Sequence, residues 1–331
     1  MRLFITLLIL GHSLIAQVSQ DIRVEYDESI ADYFTVLTLE SQKSAVVKYV
    51  NESKEKRKVD VYTYELLNEE LKKQKSIQIE HAKPDFPLER SLNNGNFHYQ
   101  LFCHPKSGVF NIYKIDLSNL KTLKIDGNFG KKFTFYQMTV AGDFAYISCR
   151  LKKKLLILTV DLLTGIVTNN DPQLKLKSKA KLVFRDIQTV KTTNGFEVFF
   201  QYEAIVSKRD KKMCYYRFGA DGTPFGDLLY NPNPSEGTFI LESSFTKTKD
   251  GTYMVVGAFA KNSKMFANGI YVANMSENKL TNINYYNFLD IKDFMKVAGL
   301  NEEKIEKKKE KAESKGDEYF LKYRFLAPRC N

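Results

Sequence analysis

The chain is predicted to be an all-β protein, a β-propeller of four-stranded antiparallel blades with about five visible, a sixth begun, and one charged helical insertion. Three observations predict this. A glycine-containing turn followed by an aromatic-led strand recurs at Phe97, Phe144, Phe196 and Tyr253, at intervals of roughly 47, 52 and 57 residues. Alternating strands accompany each recurrence on both sides, in units of four. A unit of that size cannot hide both of its faces, so it is expected to stack radially against copies of itself. A β-sandwich also uses many short strands, but it does not require them in fours.

Taken in chain order, the first element is "MRLFITLLILGHSLIA", with Arg2, the apolar run Leu3 to Leu10 and small residues before Gln17. That layout predicts a secretory signal peptide over residues 1–16. Its apolar run is far shorter than the ~20 residues that span a bilayer. No Cys follows the cleavage point, so a lipid anchor is not expected, and no later stretch qualifies as transmembrane. A secreted or periplasmic protein is therefore expected, with blades over 17–289, a helical insertion over 290–316 and a further blade or ring-closing strand over 317–331.

Within the repeat, the first strands are "DYFTVLTLE", the poor copy "FPLERSL", "KFTFYQMTV", "LVFRDIQTV" and "TFILESSFT". The aromatic-led second strands include "NGNFHYQLFC", "AGDFAYISCR", "TNGFEVFFQYE" and "KDGTYMVVGAF", with "KSAVVKYV" as a weaker early copy. Third strands follow as "KVDVYTYEL", "GVFNIYKIDL", "KLLILTVDL", "KMCYYRFG" and "GIYVANM". The fourth are "KSIQIE", "KTLKID", "PQLKL", "GDLLY" and "LTNINYYNF". Period-two alternation of β-branched and aromatic residues, broken by Gly, Asn and Asp, is the pattern of strands joined by hairpins. "EYFLKYRFLAP" (Glu318 to Pro328) reads as the first strand of a sixth unit. "IRVEY" (Ile22 to Tyr26) offers a closing strand from the other end, since open sheet edges invite aggregation.

The one helical stretch runs from Asp290 to Gly316. Ile291, Phe294, Met295, Val297 and Ala298 fall at helical spacing, Asn301 followed by Glu302 and Glu303 marks a helix start, and Gly316 a stop. The near-neutral Lys/Glu run from Glu302 to Lys315 predicts a solvated helix held by Glu-to-Lys pairs, with a basic arm or coiled coil as alternatives.

The formal charge is +11. The lysines are spread through the chain and interleaved with Glu, so no nucleic-acid partner is expected. Cys103, Cys149, Cys214 and Cys330 lack metal-ligand spacing, and the first three read as strand residues first, disulfide partners second. His81, His98 and His104 lie in one unit and read as ordinary structural histidines. "TKDGTY" lacks the spacing and Trp of an Asp-box and reads as a hairpin turn. No metal or cofactor is expected.

One constellation comes from the repeat itself. Counting back from the turns, the first strands place Glu89, Gln137, Asp186 and Glu242 at one recurring position, with Lys322 in the incomplete sixth. In a propeller these would line the central channel, where carboxylates could hold a cation or share a proton. A polar channel wall without a ligand is the alternative, and a slip of one residue would turn the side chains to the other face.

The signal ending in "LIAQ", the segment "DGTYMVVGAFAKNSKMFANGIYVANMSENKL", the Lys/Glu helix and "LKYRFLAP" together resemble a set of exported bacterial β-propeller-like proteins of unknown function. The resemblance covers mainly the last third of the chain and implies a chain continuing past the Tyr-Arg strand. It implies no activity. The function expected from the sequence is a non-catalytic exported binding or scaffold protein for an unknown protein, peptide or glycan. The alternative is a glycan-directed hydrolase or lyase using the Glu89, Asp186 and Glu242 ring.

Overall fold

A computed structural model describes residues 33–38, 44–54, 57–82, 88–172, 180–192, 195–205, 211–225, 229–230, 238–261, 266–276, 279–316, 319 and 321. They form five four-stranded antiparallel sheets, each a meander in chain order. The expected signal peptide, "IRVEY", Lys322 and Cys330 lie outside the described residues. The chain divides into two compact units, the first holding sheets 1 and 2, the second holding sheets 3 to 5 with the helical segment and the 105–109 turn.

In the first unit, sheet 1 comprises β1 (Tyr33–Thr38), β2 (Ser44–Lys54), β3 (Arg57–Leu67) and β4 (Lys73–Ala82). Sheet 2 comprises β5 (Leu88–Asn94), β6 (Phe97–Cys103), β7 (Val109–Asp116) and β8 (Lys121–Asn128). Alternation along β3 aims Tyr62, Tyr64 and Leu66 into one core with Phe102, Ile115 and Leu117 of the sheet 2 segment. Burying each of these side chains contributes on the order of 2 kcal/mol.

In the second unit, sheet 3 comprises β9 (Phe133–Ala141), β10 (Phe144–Leu151), β11 (Lys154–Asp161) and β12 (Val167–Asn170). Sheet 4 comprises β13 (Lys181–Thr192), β14 (Gly195–Ile205), β15 (Lys211–Phe218) and β16 (Leu229–Tyr230). Sheet 5 comprises β17 (Thr238–Lys247), β18 (Tyr253–Lys261), β19 (Gly269–Ser276) and β20 (Lys279–Asn287). Sheet 4 is buried on both faces. Val198, Phe200 and Tyr202 of β14, with Cys214, Tyr216 and Phe218 of β15, pack with Tyr146 and Ile157 of sheet 3. The intervening Phe199, Met213 and Tyr215 pack with Phe245, Tyr253 and Val255 of sheet 5. Two buried faces explain why "FEVFFQYE" and "KMCYYRFG" are apolar nearly throughout rather than at alternate positions.

The turns show why the strands fall where they do. Sheet 3 differs from expectation, because its fourth strand is β12 and not "PQLKL", which follows it and lies largely outside the described residues. Asp161 is the cause. Its Oδ1 accepts from the backbone N–H groups of Leu163 (2.8 Å) and Thr164 (3.1 Å), and the chain reverses before Val167. Asn68, Asp116 and Asp221 build the corresponding turns in sheets 1, 2 and 4, each accepting from a backbone N–H two residues on. Leu162 and Leu117 then donate their N–H groups to the carbonyls of Asp143 and Asn96, both at 2.8 Å, tying each turn to a hairpin beside it.

After sheet 5, α1 (Phe294–Val297) is a single turn and α2 (Glu302–Glu313) a three-turn helix. Asn301 caps α2, its Oδ1 accepting from Lys304 N–H at 2.9 Å, and Gly316 ends the segment at φ +73°. Ile305 is the buried residue of α2, packed with Ala258, Phe288 and Leu321, so the helix is docked and not only solvated. Leu321 accepts a hydrogen bond from Asn268 at 3.1 Å; of the expected sixth unit only Tyr319 and Leu321 are described.

Candidate functional site

Two kinds of polar grouping stand out, inter-sheet ties on the first strands and one cleft. In sheets 3, 4 and 5 the first strand carries a β-bulge against its neighbour, leaving Tyr136, Arg185 and Leu241 unpaired. Each bulge immediately precedes one of the predicted positions, Gln137, Asp186 and Glu242, and such an extra residue re-aims the side chain after it. Gln137 Nε2 donates to Asp186 Oδ1 at 3.0 Å, so these two are brought together. Further along the same two strands, the hydroxyls of Thr139 and Thr189 meet at 3.0 Å. The side chain of Glu242 lies outside the described residues.

Glu89 lies in the other unit and carries no bulge in its strand. Its carboxylate accepts from the Tyr62 hydroxyl and from Gln100 Nε2 (3.2 Å), while Tyr64 donates to Gln100 Oε1 at 2.6 Å. Glu89 thus ties sheet 1 to sheet 2. Between sheets 4 and 5 the same task falls to Ser243. Its Oγ meets the hydroxyls of Tyr215 (2.5 Å) and Tyr271, and its carbonyl accepts from Gln188 (2.5 Å) and Gln201.

His98 and His81 are packing groups. His98 is buried, packs at a tilt against Tyr64 with centroids 5.5 Å apart, and holds Nδ1 2.5 Å from Asn93 Oδ1, which fixes the Nδ1–H tautomer. Burial lowers its pKa to about 4, so it is neutral. His81 packs at a tilt against Phe102, with ring centroids 4.0 Å apart. Cys103, Cys149 and Cys214 are buried free thiols, and burial pushes Cys103 and Cys214 up to about 12. Among the described residues no three His, Cys, Asp or Glu side chains come together as a metal site, and no helix is long and apolar enough to cross a membrane.

The cleft lies where the ends of β13, β14 and β15 meet the start of the β17–β18 hairpin. It encloses about 400 Å³ and is lined by Thr192, Glu197, the 219–225 turn and Lys247. Glu197 begins the β14 face that carries Phe199 and Gln201 toward sheet 5. Arg217, opposite Phe199 in the ladder, is its diagonal neighbour, and Arg217 Nε stands 3.7 Å from Glu197 Oε2. Both side chains are about 15 % exposed. The guanidinium of Arg217 lies 3.7 Å from the centre of the Phe225 ring, and Lys247 Nζ lies 5.1 Å from that of Tyr253. Tyr253 is 6 % exposed. Burial first, and the Glu197 carboxylate second, raise its hydroxyl above the ordinary phenol range, while Arg217 acts the other way.

Glu197 Oε2, Arg217 Nε and Tyr253 OH are each buried with no hydrogen-bond partner among the described residues. Of the three only Glu197 lines the cleft, and Arg217 and Tyr253 stand against its carboxylate from within. Buried polar atoms are nearly always satisfied in folded proteins, by protein, water or ligand. Sequence reasoning missed this site. The signal was Glu197 and Arg217, of opposite sign, at the neighbouring ends of two strands rich in aromatics.

No family model matches the chain, and no curated protein is similar to it in sequence. Among solved structures it is similar to a chimera of apocarotenoid oxygenase with RPE65, with TM-score 0.39 and 9 % identity over 77 % of this chain. A Synechocystis apocarotenoid oxygenase variant matches with TM-score 0.38 and 8 % identity over 78 %, and a second chimera with TM-score 0.36 and 10 % identity over 74 %. The chain spans 61 %, 64 % and 58 % of the lengths of these three. These neighbours are named as oxygenases, which conflicts with the expectation of a non-catalytic scaffold.

Proposed function

We propose that this chain is an exported β-propeller whose working site is the cleft of its second unit, taking a small polar molecule onto Glu197, which Arg217 and Tyr253 back from within, and able to exchange a proton with it. The propeller arrangement is supported by five successive four-stranded meanders and by the bulge repeated on three first strands. Export is supported by the charge and hydropathy pattern of residues 1–16 and by the resemblance to exported bacterial propeller-like proteins. The observation that carries the site is Glu197, a carboxylate about 15 % exposed that lines the cleft with Arg217 and Tyr253 held against it. Chemically, the Glu197 carboxylate is a proton acceptor, Tyr253 is a phenol held neutral, and Arg217 stabilises negative charge that develops beside them.

The test is a ligand-observed NMR screen of sugars, amino acids and hydroxy acids against the full chain. At least one class is expected to bind, with binding lost in Glu197→Gln and Tyr253→Phe while both variants keep the wild-type melting temperature. Binding retained in both variants, or no binding by any class, overturns the proposal.

A further inference from the structure

Apart from the cleft, we infer that the second unit carries a docking surface for an anionic lipid membrane, formed by six lysines on three turns at one end of sheet 3. The turns are 105–108, ahead of β7, 129–132, ahead of β9, and 151–154, which joins β10 to β11. All three belong to the second unit. Backbone hydrogen bonds join them. Phe133 N–H donates to the Pro105 carbonyl and Phe129 N–H to the Gly108 carbonyl, both at 2.8 Å, and Lys152 N–H donates to the Lys132 carbonyl at 3.1 Å. Gly108 permits the approach, since a Cβ at its φ of +82° would stand 2.2 Å from the Gly130 carbonyl oxygen. Lysines far apart in the sequence are thus held in one place by the fold.

Lys106, Lys131, Lys132, Lys152, Lys153 and Lys154 are all exposed, and none has an ion-pair partner among the described residues. The stretches 104–109, 128–134 and 150–155 contain no Asp or Glu, and Glu203 in the neighbouring sheet 4 is already paired with Arg185. Uncompensated charge of one sign attracts an anion, and the chemistry of the patch says which kind. Lysine is a point charge on a flexible stem and lacks the planar fork with which arginine grips a single phosphate, so the patch responds to the amount of negative charge and not to its arrangement. The rings of these turns, Phe129 and Phe133, are buried against each other with centroids 4.8 Å apart, so neither can stack a nucleobase. Val109, 40 % exposed at the end of the first turn, adds an apolar side chain that can enter the headgroup layer. A plane of mobile anionic headgroups suits such a surface, and each lysine brought near one strengthens binding about fivefold.

Vesicle sedimentation of the full chain tests this, with phosphatidylglycerol mixed into phosphatidylcholine as the anionic surface and phosphatidylcholine alone as the neutral one. The readout is the ratio of the two affinities, because any apolar segment of the chain contributes to both. Wild type should prefer the anionic vesicles in low salt and lose the preference in about 1 M salt, where the screening length falls to about 3 Å. A triple variant, Lys152→Asn, Lys153→Gln and Lys154→Gln, should lower the ratio on the order of a hundredfold; Asn is chosen because Lys152 holds φ +58°. The matched variant Lys307→Gln, Lys308→Gln and Lys311→Gln removes the same charge from the exposed face of α2 and should leave the ratio unchanged. All six positions are exposed, and both variants should keep the wild-type melting temperature. Equal losses in the two variants would mean that net charge alone acts, and the patch assignment falls. It falls equally if wild type shows no preference between the vesicles. If a labelled oligo-dT binds more tightly than the anionic vesicles and the first variant abolishes that binding, the partner is a nucleic acid and the lipid assignment is overturned.

Discussion

Acidification from pH 7 to pH 5 is expected to weaken the first unit through His98, by an amount that follows from its surroundings. The imidazole is packed against Tyr64 and hydrogen-bonded to Asn93, and burial lowers its pKa from 6.5 to about 4. The unfolded chain therefore takes up the proton first as the pH drops. Stability from this group is complete above pH 6.5, declines below it, and is fully lost only once the pH has fallen through about 4. Two-state linkage between those values gives a loss of about 2 kcal/mol by pH 5 and about 3 kcal/mol at the acid limit. His98→Gln removes the titration while keeping an amide donor for Asn93. Urea unfolding followed by far-UV circular dichroism at pH 7 and pH 5 reads the difference. Wild type should lose about 1–2 M more in midpoint than the variant, for slopes typical of a small domain. Parallel declines in the two proteins would refute a buried neutral His98.

Ser243→Ala leaves the Tyr215 and Tyr271 hydroxyls without their shared partner and should cost about 2 kcal/mol, seen as a lower denaturant midpoint; an unchanged midpoint would mean that the tie is not stabilising. Gly222→Ala places a side chain at φ +78° with its Cβ 3.0 Å from the Phe144 ring, and should lower stability by about 1–2 kcal/mol in the same assay. Ile305→Ala removes the buried contact of α2 and should weaken its docking by about 2 kcal/mol. Hydrogen exchange should then quicken across Glu302–Glu313 while β18 and β19 keep their protection, and equal protection in the helix would count against docking through this residue.

Much of the strand order was legible because it is written locally. Phe97, Phe144 and Tyr253 each begin the strand that their turn announces, and Asn301 caps the helix it was expected to start. The missed fourth strand of sheet 3 has a local cause too, since the Asp161 turn is short and returns the chain at once to pair with β11. The polar position before the turns was readable as a recurrence. Its environment was not, because a bulge beside Gln137, Asp186 and Glu242, and none beside Glu89, decides where a side chain points.

The amino-acid sequence by itself determined the five four-stranded meanders, since alternation, turn residues and caps act over a few positions. Only the tertiary structure decided which polar groups meet. Glu197, Arg217 and Tyr253 stand on three strands of two sheets, and Glu89 finds Tyr62 across a sheet boundary. The physical reason is that a strand's period fixes which side chains share a face, whereas the partner of that face is chosen by how whole sheets pack. In a sheet buried on both sides, a charged residue among aromatics is resolved only by the neighbour that the packing brings to it.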